Sequence, residues 1–281
     1  MKTETDRSAH GRSTPPARGE IDVDGLRIRY RRAGKGPPLL LLHGFFGDSR
    51  VWRWQVEELA EEFTVVAWDA PGCGCSSDPP EGFRMPEYAD CLAGFIRGLG
   101  LQRPSVLGLS FGGALAFELY RRHPDVPHAL IAADAYAGWS GSFPAEIVER
   151  RLQQSLRDLE LPAAQVAAKW MAGFVTESAP PALIAELTAI ISDFHPAGMA
   201  VMIRSLAEAD LRDVLPRIAV PTLLLWGEAD VRSPLTVAED LHAQIPGSQL
   251  VVIPGAGHLS NVEAYERFNS EVCNLLTSMK D

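Results

Sequence analysis

Apolar and polar residues alternate along residues 21–23 and again along 26–32, on either side of Asp24-Gly25. A period of two across a short Asp-Gly link predicts a β-hairpin. The pattern then changes. Residues 39–42, 64–68, 105–109, 129–133, 222–226 and 250–253 are short, continuous apolar runs. Runs of this length suit strands buried on both faces of a parallel sheet. Between them, residues 51–63 have helical spacing, with Trp52, Val56, Leu59 and Ala60 on one side. Residues 88–99, 114–122, 235–245 and 262–279 read as further helices, the last with Asn261 as its N-cap. Strands alternating with helices predict an α/β fold, a doubly wound and mostly parallel sheet. The alternation fails over residues 138–216, which read as helices and loops. That block is expected to be an insertion over one end of the sheet, leaving a core of residues 20–137 and 217–281. Residues 1–19 are polar, rich in Ser, Thr, Pro and Arg, and are expected to form a disordered tail.

Composition narrows the class of partner. The chain has 281 residues, 46% of them hydrophobic, enough for one large α/β domain. A formal net charge of −10 opposes nucleic acid, because phosphate binding needs a basic face. No apolar run approaches the roughly 20 residues of a membrane span. Residues 1–19 also lack the apolar core of a signal peptide, so a cytoplasmic location with free thiols is expected. Cys73 and Cys75 form a C-x-C pair, but no His or Cys follows closely enough to complete a metal site.

The candidate chemistry centres on Gly108-Leu109-Ser110-Phe111-Gly112, which joins an apolar strand run to a helical one. A serine between two glycines at such a switch sits on a sharp turn, its hydroxyl raised over the strand ends. A nucleophilic serine needs a base, most often His, and an acid to hold that base. Of the seven histidines, His10 lies in the tail, His123 closes a helix, His128 precedes a strand, His195 is in the insertion and His242 is inside a helix. His43 and His258 remain, both in loops just after strands, where active sites of open α/β sheets collect. Asp69, Asp134 and Asp230 follow strands as well, and Glu228 lies close by. Chain order favours Ser110, Asp230 and His258. The N–H groups of Phe111 and Phe45 are the expected donors to an oxyanion. His43 is expected to support the Phe45 loop.

Taken together, Leu42-His43-Gly44-Phe45, the stretch from Asp69 to Ser76, Gly108 to Gly113, Trp226 to Asp230 and Gly257-His258 resemble the α/β-hydrolase fold superfamily. The likeness covers residues 20–279 and is greatest to small bacterial esterases, lactonases and carbon–carbon hydrolases. It implies a helical cap at residues 138–216, after the sixth strand, and chemistry without a cofactor. It also implies a small-molecule acyl substrate, attacked by Ser110 with His258 as base and Asp230 as its acid. Alternatives on the same fold are carbon–carbon bond hydrolysis, a perhydrolase-like reaction or a non-hydrolytic ligand receptor. One departure is Cys73 and Cys75 in the loop after Asp69, where the family commonly carries Arg or Lys at the second position. The expected pocket comprises His43, Phe46, Tyr136, Trp139, Trp170, Phe174, Phe194 and Leu259, beside Phe45 and Phe111. Serine at position 110, where dehalogenases and epoxide hydrolases of this fold carry Asp, points to acyl chemistry.

Overall fold

The computed structural model describes residues 16–279. β1 (Ala17–Val23) and β2 (Leu26–Ala33) form the hairpin. Asp24 and Gly25 between them both have positive φ, 49° and 85°, as a tight two-residue turn requires. β3 (Pro38–Leu42), β4 (Thr64–Trp68), β5 (Ser105–Leu109), β6 (Leu130–Ala133), β7 (Thr222–Gly227) and β8 (Gln249–Ile253) complete one sheet. Its order is β1-β2-β4-β3-β5-β6-β7-β8. β1 and β2 pair antiparallel, as do β2 and β4, and every later pairing is parallel. All residues of β4, β5 and β6 are buried, so both faces of the sheet are covered.

The covering helices are α1 (Arg53–Leu59), α2 (Met85–Gly98) and α3 (Phe111–Arg122), joined by two more later in the chain. Between β6 and β7 run α4 (Trp139–Ser142), α5 (Ala145–Asp158), α6 (Ala163–Phe174), α7 (Pro181–Ser192) and α8 (Pro196–Glu208). α9 (Leu235–Gln244) links β7 to β8, and α10 (Ser260–Glu263) and α11 (Tyr265–Ser278) end the chain. α2 packs on α3, α1 on α11, and α6 on α7. No helix among the described residues is long and apolar enough to cross a membrane.

Several boundaries depart from the sequence reading; α2 and α3 each begin three residues earlier than read, at Met85 and Phe111. Residues 17–19 belong to β1, pairing Ala17 with Arg32 and Gly19 with Tyr30, and the rest of the expected tail to residue 15 lies outside the described residues. Ala-Arg-Gly has no apolar alternation, so only the partner strand reveals it. The helix expected over 51–63 starts as a 3₁₀ turn at Ser49 and α1 stops at Leu59. The last helix is split at Ala264 (φ −133°, ψ 45°), and Asn261 is not its cap. Asn261 is buried, donating to the Val51 carbonyl at 3.1 Å, while its own carbonyl accepts from Gln55 Nε2 at 2.8 Å.

Candidate active site

Parallel strands put all their carboxyl ends on one edge of the sheet, and the candidate residues collect there. Ser110 follows β5, Asp134 follows β6, Asp230 lies just past β7 and His258 just past β8. Ser110 adopts φ 56° and ψ −113°, a backbone state that costs an L-residue about 1–3 kcal/mol. The flanking glycines allow it. A Cβ on Gly108 would strike the Gly112 backbone, and one on Gly112 would strike the Leu42 carbonyl.

His258 Nε2 lies 3.0 Å from Ser110 Oγ. His258 Nδ1 lies 2.8 Å from Asp230 Oδ2. The second Asp230 oxygen accepts the backbone N–H groups of Arg232 at 2.7 Å and Ser233 at 3.0 Å. Both Asp230 and His258 are buried, and the Phe174 ring stacks on the imidazole at 5.8 Å. Phe111 opens α3, so its N–H is one of the donors a helix leaves unpaired at its start. The Gly44–Gly47 turn is closed by Gly47 N–H on the Gly44 carbonyl at 3.3 Å, which leaves the Phe45 N–H outside the turn's own bond. Gly44 packs directly on Ser110, and a Cβ there would lie 3.0 Å from the serine Cβ.

His43 spends both ring nitrogens on this framework. Nδ1–H donates to the Gly44 carbonyl at 2.8 Å, and Nε2 accepts the Ala70 N–H at 3.0 Å. Burial lowers its pKa, which keeps the ring neutral. Asp134, the other carboxylate at this edge, is also fully buried. It accepts from Gly227 N at 2.8 Å and Ser260 Oγ at 2.5 Å and makes no hydrogen bond or ion pair with His258. Burial, and then the Asp230 charge, push its carboxyl well above the usual range. After β4, Asp69 accepts from the backbone of Ser49 and Cys75, so backbone donors hold the loop that lacks the expected cation.

Two narrow cavities meet at Ser110 and His258. The first, about 360 Å3 of empty space partly open to solvent, is lined by Gly44, Phe45, Phe46, Gly47, Val51, Leu109, Phe174, Leu187, Ile190, Ile191 and Leu259. The second, about 250 Å3 of empty space that likewise includes open solvent, is lined by Phe45, Tyr136, Trp139, Arg151, Trp170, Phe174, Leu206 and Arg232. A larger surface depression, about 1010 Å3, lies by Arg29, Arg31 and Asp193 and shares no residue with either. Six of the expected pocket residues, Phe46, Tyr136, Trp139, Trp170, Phe174 and Leu259, therefore line a cavity. His43 does not, because it is tied between two loops. Phe194 does not either, since it packs edge-on behind Phe46 at 5.2 Å. The sequence reading missed Leu187, Ile190 and Ile191, whose i, i+3, i+4 spacing marks an apolar helix face. It also missed Arg151 and Arg232.

A family model for the alpha/beta hydrolase fold matches residues 37–265. The chain belongs to this family. It is 34% identical to a thermophilic esterase from Thermogutta terrifontis, solved with malate bound. That structure superposes with a TM-score of 0.85 over 93% of this chain and 98% of the other. It is 31% identical over 254 residues to a putative carbamate hydrolase, RutD, of Cronobacter turicensis, covering 87% of this chain and 92% of that one. It is 27% identical over 256 residues to a 3-oxoadipate enol-lactonase of Acinetobacter baylyi, covering 90% and 94%. Fold and family together make the protein a hydrolase.

Proposed function

We propose that this α/β hydrolase is a serine hydrolase cleaving a small or medium ester, lactone or related acyl substrate. Ser110 Oγ attacks the carbonyl carbon as His258 Nε2 takes its proton. Asp230 holds Nδ1–H and balances the imidazolium. The N–H groups of Phe45 and Phe111 receive the oxyanion. The bond to the leaving oxygen breaks as His258 returns the proton to it. Water then adds to the acyl-enzyme by the same relay, releasing the acid and restoring Ser110.

The observation that carries this reading is the unbroken contact from Ser110 to His258 at 3.0 Å and on to Asp230 at 2.8 Å, with the serine held at φ 56°. The relatives' activities, esterase, enol-lactonase and carbamate hydrolase, are all hydrolyses at an acyl carbon and support the class. A fluorophosphonate should label Ser110 alone. A panel of p-nitrophenyl esters and lactones should be turned over, with Ser110→Ala slower by about 10³-fold or more. An alanine variant that is still labelled, or that turns over normally, removes Ser110 as the nucleophile.

A further inference from the structure

The second cavity carries positive charge that the hydrolase reading does not use. Arg232 lines it beside Ser110 and His258; its side chain is half-buried, with Nε shielded from solvent. Among the described residues no carboxylate lies within 4.0 Å of the Arg232 or Arg151 side chain. The two nearest acids are engaged elsewhere: Asp230 with His258 and two backbone N–H groups, Asp158 with Lys169 and Gln154. Arg232 rests instead on aromatic faces, 4.0 Å from the Trp170 ring centroid and 4.6 Å from that of Phe174. Ring faces steady a guanidinium but give its N–H groups no acceptor. Among the described residues the guanidinium's one hydrogen bond runs from Nη2 to the Trp170 carbonyl at 3.3 Å.

The donors around this cavity are in surplus. Arg232 Nε, Trp139 Nε1 and Trp170 Nε1 are all buried with no acceptor among the described residues, and all three can only donate. Burial without a counter-ion lowers the Arg232 guanidinium to about 10, so it stays charged at neutral pH in a place that disfavours charge. A buried cation of this kind favours an anion that can reach it.

α6 is shaped to hold this arginine. Gly173 has no positive φ to require glycine, yet a Cβ there would lie 2.8 Å from Arg232 Nε and 3.2 Å from Cζ. The guanidinium occupies the space a side chain at 173 would take. Arg151 backs it, with Nη2 bonded to the Arg232 carbonyl at 2.6 Å and its guanidinium 5.1 Å from the Trp139 ring.

We propose that Arg232, seated on Gly173 and backed by Arg151, receives a carboxylate of the substrate in the Trp139–Trp170 cavity. The compound cleaved at Ser110 is then an anion, such as a half-ester of a dicarboxylic acid or a lactone bearing a carboxylate. The planar guanidinium fork matches a carboxylate in two parallel hydrogen bonds, and the indole N–H groups add donors of the same sense. The apolar first cavity takes the uncharged arm. This inference rests on Ser110 being the nucleophile.

The test compares p-nitrophenyl monoesters of glutaric and adipic acid with the neutral pentanoate and hexanoate esters. It uses wild type, Arg232→Gln and Gly173→Ala. In wild type kcat/KM should favour the anionic ester by about 10- to 100-fold, the range expected for hydrogen bonds to a charged group. Both variants should bring the ratio close to unity. Alanine is the better helix residue, so a loss of preference in Gly173→Ala comes from the displaced guanidinium and not from a weakened helix. Glutarate and adipate should also quench tryptophan fluorescence saturably in Ser110→Ala and not in Ser110→Ala/Arg232→Gln. Equal rates on charged and neutral esters, with no saturable quench, would overturn the proposal. So would an equal loss on both esters in Arg232→Gln, which marks an arginine that only anchors the cap. Fluorophosphonate labelling and turnover of the neutral esters in the same samples report separately on the hydrolase reading.

Discussion

Asp230→Asn tests the geometry of the candidate triad atom by atom. One carboxylate oxygen accepts the N–H groups of Arg232 and Ser233, and the other faces His258 Nδ1. An asparagine has one oxygen to offer. Turned toward His258, it would aim its NH₂ at two backbone donors and strip both of an acceptor. Each buried, unmet donor costs about 1–3 kcal/mol, roughly 2–6 kcal/mol for the pair. The amide therefore turns its oxygen to the backbone and presents NH₂ to Nδ1. His258 must then accept at Nδ1 and carry its proton on Nε2, facing Ser110, where it cannot serve as base. The productive tautomer is left as a minor state by that same 2–6 kcal/mol, so kcat should fall by about 10²- to 10⁴-fold. The assay is steady-state hydrolysis of a p-nitrophenyl ester, with the melting temperature as a check on folding. KM should change little. A kcat within tenfold of wild type, in a folded variant, would refute the assignment of Asp230.

Three further outcomes follow from the same geometry. Ser110→Gly and Ser110→Ala should both be inactive, but the glycine variant should melt higher, because it alone relieves φ 56°; the gain is at most about 1–3 kcal/mol, less glycine's own entropy cost of about 0.5–1 kcal/mol. Asp134→Asn should keep kcat within about tenfold, since Asp134 is hydrogen-bonded to Gly227 and Ser260 and not to His258. Its stability effect has a sign: with the folded carboxyl raised above the ordinary aspartate value of 3.8, wild-type stability declines as pH rises from 3.8 through the folded pKa, so the asparagine variant should gain relative melting temperature above pH 3.8. A difference that is flat with pH, or a variant less stable at pH 8, would show that Asp134 is held as a charge. Ile190→Trp should fill the first cavity and shift preference toward short uncharged arms, by about 1–3 kcal/mol in relative kcat/KM across a graded ester series. An equal loss at every chain length would mean that α7 was destabilised and the cavity not reshaped.

Much of the frame and of the candidate triad was legible along the chain. A strand buried on both faces must be apolar at nearly every position, so 64–68 and 105–109 announce themselves and match β4 and β5 residue for residue. Ser110 could be read because the glycines at 108 and 112 are local necessities of the turn that carries it. Asp230 and His258 could be named because parallel strands place every loop that follows a strand on one edge.

What the chain could not say is which of its apolar and charged side chains face inward to the substrate. Phe46 and Phe194 are alike in chemistry, yet one lines the first cavity and the other stands behind it, and only the packing of the α7–α8 connection on the Phe45–Phe46 turn decides which. The burial of Asn261 answers to Val51 and Gln55, more than two hundred residues away in sequence. Arg232 reads as a surface residue two places after Asp230; it is half-buried, with Nε shielded, because α6 presents Gly173 and two aromatic rings to it. Local sequence determines elements because hydrogen bonding and burial along one strand or helix are set within a few residues. Cavity walls depend on contacts between distant elements, where many apolar side chains bury equally well and only the assembled shape selects among them.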